Sequence, residues 1–596
     1  MKEALSSIEA LFARLPPRVR RALPGALVAF ILLAVFGYSF AYRMKYMFNP
    51  LVLSDDARQH VFPFFRFYDP GTFPNDLCAD YFLAPMPVGF FTIYRTLSTV
   101  IDPTLISKIL PTLLLIPLLW GLAVASRRLA GLPGVLVTLF LSLSCPLYVE
   151  RMSGGLSRSF GYPLFAIVLA ALVTGRIRLL CLLVCLGAVF YSPVTVLAGC
   201  ALGILLFLYP AADRGEARDW TFRRRALMVG GAAALAGLIV LPSLISSGKY
   251  GRPLLPSDVI EYPEIGPGGR YNANDRIPFP AFSAGVPDQG RRALKGDGTP
   301  LVRRLYAWAM YQSPASGIPR SDIILDVVLG LIALGSFFLL KQEATARRLF
   351  ALAFAAGVVY YLACIFAPRL YIPFRYISYP VPLMVMILLP AAGAALGREV
   401  RDRLGLRDAR ALAGPLGTLA LSALCILPFG TNLSAKAGLM DVSSEARIHR
   451  FLAKLPPNVL VAGWPQGLLD NVPYMAHRQV LINFECSVAF QKDYTDENRR
   501  RTRALIAAYF APDQAPLLRL RDELGVTHLV VDRKHFANLP TYFKPFDEDV
   551  RRAQQQAADK GFEVLRQIDA TQVFTDGTLV VLDLSRLDAS VGAPKR

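Results

Sequence analysis

Apolar residues fall along the chain in long, nearly charge-free blocks rather than at the two-residue period of half-buried strands. A block of about 18 or more such residues is long enough to cross a bilayer as a helix. Lipid offers the backbone no hydrogen-bond partners, so a span must be a helix or part of a closed barrel, and barrel strands would alternate polar and apolar positions. The pattern predicts about eleven helical spans, at roughly 24–42, 104–125, 132–149, 159–175, 179–193, 194–210, 226–246, 322–340, 349–367, 377–397 and 412–430. Ser192-Pro193 marks the break between the fifth and sixth, because proline removes a helical N–H. Three stretches escape the pattern: 43–103, 247–321 and 431–596. In the first, Pro87 to Ile101 sets Phe90, Phe91, Tyr94 and Leu97 near one helical face, which predicts a helix lying along the membrane surface. In the last, β-rich runs at Val459–Ala462, Gln479–Ile482, Thr527–Val531 and Thr578–Leu582 alternate with helical patterns at Asp496–Phe510, Ala515–Leu524 and Asp547–Leu565. That alternation predicts a small α/β domain. The expected fold is a polytopic α-helical membrane domain over 1–430, with exterior loops 43–103 and 247–321, and a small exterior α/β domain over 431–596.

Charge sets the orientation. The 596 residues include 64 Lys plus Arg against 44 Asp plus Glu, a formal net charge of +20. In a soluble protein such an excess suggests nucleic acid. Here 54% of residues are apolar and the basic ones sit in alternate loops, so no nucleic-acid partner is expected; basic residues hold loops in the cytoplasm. Counting from Lys2, Arg14, Arg18, Arg20 and Arg21, every second loop is basic: Arg127-Arg128, then Arg176 and Arg178, then Arg214, Arg218 and Arg223 to Arg225, then Lys341 with Arg347-Arg348, then Arg398, Arg401, Arg403, Arg407 and Arg410. The N-terminus is therefore expected in the cytoplasm and the tail outside. The first block ends in Tyr-Arg-Met without a small-x-small cleavage site, which favours a retained span over a signal peptide. Of eight cysteines, Cys181, Cys185, Cys200, Cys364 and Cys425 fall in apolar spans and Cys145 near a span end. Cys78 and Cys486 fall in exterior regions, where a disulfide between them is open.

The span centres carry no ionisable residue, which argues against an ion-coupled carrier. Chemistry-bearing residues gather at exterior span ends instead. Asp55-Asp56 directly follows the first span; such a carboxylate could take a proton from a hydroxyl, and the pair could hold a divalent cation such as Mg or Mn. An ordinary solvated acidic turn is the plain alternative. Arg151 and Arg158 flank Met-Ser-Gly-Gly-Leu-Ser, and Arg369 and Arg375 lie between the ninth and tenth spans. Guanidinium groups on this side suit phosphate oxygens, of a donor or of ordinary lipid headgroups. Tyr262-Pro-Glu-Ile-Gly-Pro-Gly-Gly-Arg270 is a turn cluster with no P-loop Lys-Ser/Thr; it reads as a flexible loop or a lid. Gly463 to Pro473 follows a strand, a place where α/β domains often bind ligands. The five histidines lack zinc spacing.

The chain resembles the GT-C superfamily of polyprenyl-phosphate-sugar-dependent glycosyltransferases. The resemblance rests on Asp55-Asp56 after the first span with a surface helix following, a multi-span bundle with a second long exterior loop, and a soluble exterior tail. It is similar, more closely, to a bacterial group of GT-C-like membrane proteins. The matching stretches are Asp55-Asp-Ala-Arg-Gln-His60, Phe73-Pro-Asn-Asp-Leu77 with Asp80-Tyr-Phe82, Pro267-Gly-Gly-Arg270 and Asp470-Asn-Val-Pro473. The resemblance implies a multi-pass protein of the bacterial inner membrane with a periplasmic tail. It further implies inverting transfer of a sugar from a polyprenyl phosphate to a glycan, lipid or protein acceptor, with Asp55 or Asp56 as base. Arg58, His60, Arg151, Arg158, Arg270, Arg369 and Arg375 are the expected substrate-binding residues, the exterior arginines neutralising the leaving phosphate. No Trp-Trp-Asp sequence is present, which argues against an Asn-glycosylating enzyme. A lipid-linked glycan flippase or export component, and a polymerase or ligase of whole glycan units, are the alternatives.

Overall fold

The computed structural model describes residues 48–144, 151–208, 219–266, 268–270, 343–366, 375–403 and 439–587, with isolated positions elsewhere. The expected spans 24–42, 322–340 and 412–430 lie outside these stretches, Phe30 and Gly37 apart, as does 271–321. Among the described residues, five helices are long and apolar enough to cross a membrane: Pro103–Leu132, Ser157–Thr174, Phe222–Tyr250, Ala344–Ala363 and Arg375–Ala395. Two shorter apolar helices, Ile177–Phe190 and Ser192–Leu208, stand where the fifth and sixth spans are expected.

The helix Pro103–Ser144 (α1) is interrupted at Gly131, whose φ of 69° and ψ of −163° are not helical. Across the interruption the Ser126 and Thr138 hydroxyls hydrogen-bond at 2.6 Å. On an unbroken helix they would stand about 18 Å apart, so the chain reverses at Gly131, between the spans expected at 104–125 and 132–149. The helix Gly161–Thr174 (α2) is buried along most of its length. A Cβ at Gly121 of α1 would lie 2.6 Å from the Ala166 carbonyl carbon of α2, so glycine permits a backbone-to-backbone approach there. The helix Phe222–Ser247 (α3) is the contrast, with 6% of its apolar window buried within the protein.

Residues expected inside and outside gather at opposite ends of α2. At its C-terminal end, Arg348 donates Nε to Leu172 O at 2.5 Å and Nη2 to Val173 O at 3.4 Å, placing a cation at the negative end of the helix dipole. Arg178 pairs with Glu216 there. At its N-terminal end lie Arg151, Arg158 and the first loop.

The tail holds a five-stranded sheet of order β4-β3-β5-β7-β6, built from β3 (Leu460–Gly463), β4 (Gln479–Val480), β5 (His528–Asp532), β6 (Gln572–Asp576) and β7 (Leu579–Asp583). The first three strands run parallel and the last two join antiparallel. Helix Lys492–Tyr509 (α4) packs on it. A separate two-stranded sheet joins β1 (Val52–Ser54) to β2 (Leu439–Asp441), with Leu53 opposite Met440. The first long loop and the start of the tail are thus one unit of structure. Val442, Tyr474, Cys486, Val488 and Tyr494 of the tail share one apolar core with the loop and the helices.

Candidate functional site

The acidic pair is presented by a strand-to-helix turn. Buried β1 ends at Ser54, and the helix Ala57–His60 begins after Asp56. Its N–H groups bond to the Asp55 and Asp56 carbonyls, with Arg58 N to Asp55 O at 3.2 Å and His60 N to Asp56 O at 3.0 Å. The Asp56 carboxylate makes no capping bond, and the two carboxylates go to different partners. Asp56 Oδ2 pairs with Arg158 Nη1, and Asp55 Oδ1 with Arg58 Nη2.

Arg158 is delivered by a loop that needs its glycines. Gly154 and Gly155 have φ of 86° and 57°, a left-handed backbone costly for other residues. A Cβ on Gly154 would sit 2.8 Å from Ser54 Oγ, and one on Gly155 would sit 2.9 Å from Ser107 O and 3.0 Å from the Tyr94 hydroxyl. Ser159 Oγ accepts from Leu156 N and donates to Met152 O, each at 2.8 Å, which fixes the loop internally. The loop therefore lies against the residue that precedes Asp55. The helix Val88–Leu97 supports it from below, for Tyr94 donates its hydroxyl to Gly155 O at 3.0 Å while Phe90 and Tyr94 are buried. The expected aromatic face is thus packed inward, with Leu97 exposed at its end.

Burial pushes the Asp56 carboxyl up, but the charges of Arg158, His60, Arg375 and Arg151 outweigh it, so the net direction is down. Burial with the charges of Arg158 and Arg375, against Asp56, brings His60 down to about 4. At neutral pH the arrangement is a carboxylate and a neutral imidazole beneath several guanidinium groups. Of the expected site residues, Asp56, His60, Arg151, Arg158 and Arg375 therefore converge, and Arg369 lies outside the described residues.

Arg58 and Arg270 belong to a second, neighbouring network. Arg58 is 5% exposed. It donates Nη1 to Asn471 Oδ1 at 3.1 Å, Nη2 to Glu485 Oε1 at 3.0 Å and Nε to Asp55 O at 3.0 Å. Arg270 Nη2 lies 3.7 Å from the other Glu485 oxygen, and its guanidinium stacks 3.8 Å from the Phe484 ring centroid. Asp470 accepts from Glu485 N and Gly467 N, and Asn471 donates to Glu445. Burial drives Glu485 up, to about 8, against Arg58 and Arg270. The segment after β3, expected as a ligand loop, instead folds as the helix Leu468–Met475 and receives Arg58. The turn cluster before Arg270 is docked rather than free: Tyr262 donates to Asp496 at 3.0 Å, and buried Glu264 pairs with Arg499 at 2.5 Å.

Glu485 carried no assignment in the sequence reading. Its signal is that it is the one charged residue in Leu481 to Phe490, an otherwise apolar and neutral run; a lone acid in such a run must find a partner when buried.

The divalent cation suits the described residues poorly. Each carboxylate of the pair engages a guanidinium, and among the described residues no group of three or more His, Cys, Asp or Glu could hold a metal ion. No step is routed through one.

No family model and no curated protein match the chain. Solved structures with similarity include the Archaeoglobus fulgidus oligosaccharyltransferase tethered with an acceptor peptide, at 11% identity and TM-score 0.49 over 91% of this chain and 72% of that one. The archaeal oligosaccharyltransferase AglB from the same organism, in complex with an inhibitory peptide and a dolichol-phosphate, matches at 13% identity and TM-score 0.47 over 95% and 75%. ArnT from Cupriavidus metallidurans in the apo state matches at 15% identity and TM-score 0.41 over 96% and 99%. Likeness at this level leaves the reaction to be argued from the residues.

Proposed function

We propose that the protein is an integral membrane glycosyltransferase that moves a sugar from a polyprenyl-phosphate donor to a glycan, lipid or protein acceptor at the exterior face of a bacterial inner membrane. The observation that supports this reading is the meeting of Asp56 with Arg158, Arg151 and Arg375, drawn from three separated stretches of chain. A proton acceptor beside several phosphate-type donors is what sugar transfer from a lipid phosphate requires.

The acceptor hydroxyl oxygen attacks the anomeric carbon, the bond from that carbon to the phosphate oxygen breaks, and the lipid phosphate leaves. The hydroxyl proton passes to Asp56, and attack opposite the leaving group inverts the anomeric centre. In the resting site Arg158 is bound to Asp56. A donor phosphate competes for that guanidinium, frees the carboxylate and cancels part of the positive field, so Asp56 becomes a better base once the donor is seated. His60, neutral at physiological pH, provides a hydrogen-bonding partner without adding charge.

Arg58 and Arg270 are assigned to holding the turn against the tail rather than to touching substrate. Asp56→Asn should abolish glycan modification while the protein still accumulates in membranes. Normal glycan in that variant and in Asp55→Asn would overturn the assignment. A polymerase or ligase acting through arginines alone would lose activity in Arg158→Gln and keep it in both aspartate variants.

A further inference from the structure

Cys78 lies in the helix Leu77–Leu83 of the first exterior loop, and Cys486 lies in the tail, next to Glu485. Both are thiols and both are buried, at 2% and 0% exposure, in the core shared by loop and tail. The Cys78 thiol lies near enough to Cys486 to add to the upward shift that burial gives it. Tyr494 closes over them: its hydroxyl donates to Cys486 O at 2.8 Å and reaches Cys78 Sγ at 3.8 Å, while its ring stacks 3.5 Å from that of Tyr81, on the Cys78 helix.

The other contacts between these two regions among the described residues are non-covalent, and they include the Arg58–Glu485 pair, the β1–β2 strands, the Phe65–His477 ring contact and the Tyr81–Tyr494 stack. On the exterior side of a membrane, an oxidising compartment is available to join thiols so placed.

We propose that Cys78 and Cys486 form a disulfide that staples the first exterior loop to the tail, made by exchange with a dithiol oxidoreductase in its disulfide form. One thiolate attacks the catalyst's disulfide, whose S–S bond breaks to give a mixed disulfide. The second thiolate attacks that bond, and the catalyst leaves as a dithiol with two electrons and, overall, the two thiol protons. Burial raises the Cys486 thiol well above its usual range, so in the closed structure it is a poor nucleophile. Exchange therefore belongs to folding, before Tyr494 covers the pair.

The staple would hold the Asp55–Asp56 turn and Glu485 in register without taking part in chemistry. It stands apart from the sugar-transfer reading, depending only on the exterior placement of both segments.

The test uses the full chain in its native membrane. Free thiols are blocked with N-ethylmaleimide at lysis, and the denatured protein is digested without reductant and mapped by mass spectrometry. The expected result is one linked peptide pair containing Cys78 and Cys486, lost on reduction. Recovery of both cysteines as N-ethylmaleimide adducts would overturn the proposal. In a second measurement, reductant should lower the Tm of the purified wild-type chain by several degrees and leave that of a Cys78→Ala/Cys486→Ala chain unchanged. An equal shift in both proteins would count against the staple. The mapping on wild type stands even where the double variant fails to fold.

Discussion

Replacing Arg58 with methionine isolates the link between the acidic turn and the tail. The substitution keeps an unbranched apolar stem and removes four charge-assisted hydrogen bonds, to Asn471, Glu485, the Asp55 carbonyl and the Asp55 carboxylate. Glu485 stays where it is, its side chain 10% exposed, facing only Arg270 at 3.7 Å. Removing one partner of a buried pair costs about 3–5 kcal/mol, since the other charge stays desolvated and uncompensated. Arg270 offsets part of this, and so does proton uptake by Glu485, whose carboxyl burial already drives up to about 8, which places the expectation near the lower bound, about 3 kcal/mol. For a domain of the tail's size each kcal/mol moves the midpoint by about 2–4 °C, so Arg58→Met should lower Tm by roughly 6–12 °C. Trp464, the tail's one tryptophan and 6% exposed, reports unfolding through its fluorescence in a full chain in detergent whose Trp120, Trp220 and Trp308 are replaced by Phe. Adding Glu485→Met to Arg58→Met should restore at least about 1 kcal/mol relative to the sum of the single changes, because neither charge is then left alone. A fall below about 2 °C for Arg58→Met, or strict additivity in the double variant, would refute the claim that this pair holds the turn to the tail.

Asp56→Asn should cost far more transfer activity than Asp55→Asn, because Asp56 faces Arg158 while the Asp55 side chain is 59% exposed and bound to Arg58; comparable losses, measured on membranes with a radiolabelled polyprenyl-phosphate sugar, would show the roles to be misassigned. Since the arginines hold the Asp56 carboxyl below its ordinary value of 3.8, Asp56 stays ionised at all higher pH; if it is the base, as proposed, Arg158→Gln should move the acid limb of kcat/KM upward, and an unmoved limb would remove Asp56 from the titration. Gly155→Val puts a branched side chain at φ 57° with its Cβ 2.9 Å from Ser107 O, and should destabilise the chain by about 1–3 kcal/mol, read as a lower Tm. Asp76→Ala removes the bond from Ala79 N at 2.7 Å that caps the Cys78 helix, and should cost about 1 kcal/mol.

The membrane-crossing character was legible in the sequence because lipid imposes one simple requirement: a long apolar run with its backbone bonds satisfied internally. Basic loops set the expected orientation for a similarly local reason; the structure gathers Arg348 and Arg178 at one end of α2, with Arg158 at the other. The tail's β3, β4, β5 and β7 were visible as short β-rich runs, whereas β6 (Gln572–Asp576) was not; its half-exposed residues gain strand geometry only by pairing with β7.

The sequence by itself determined that acidic and basic residues cluster at the ends of apolar spans, and that Asp55 and Asp56 differ from the apolar chain around them. Which aspartate meets which arginine was decided in three dimensions. Electrostatic pairing depends on separations of a few ångströms, and residues as far apart in the chain as Asp56 and Arg158, or Arg58 and Glu485, acquire such separations only when glycine-dependent packing and the β1–β2 strands bring their elements together. The same holds for Glu485 itself: one carboxylate in an apolar run announces a buried partner, but only the folded chain shows that the partner is the arginine two residues after the acidic pair.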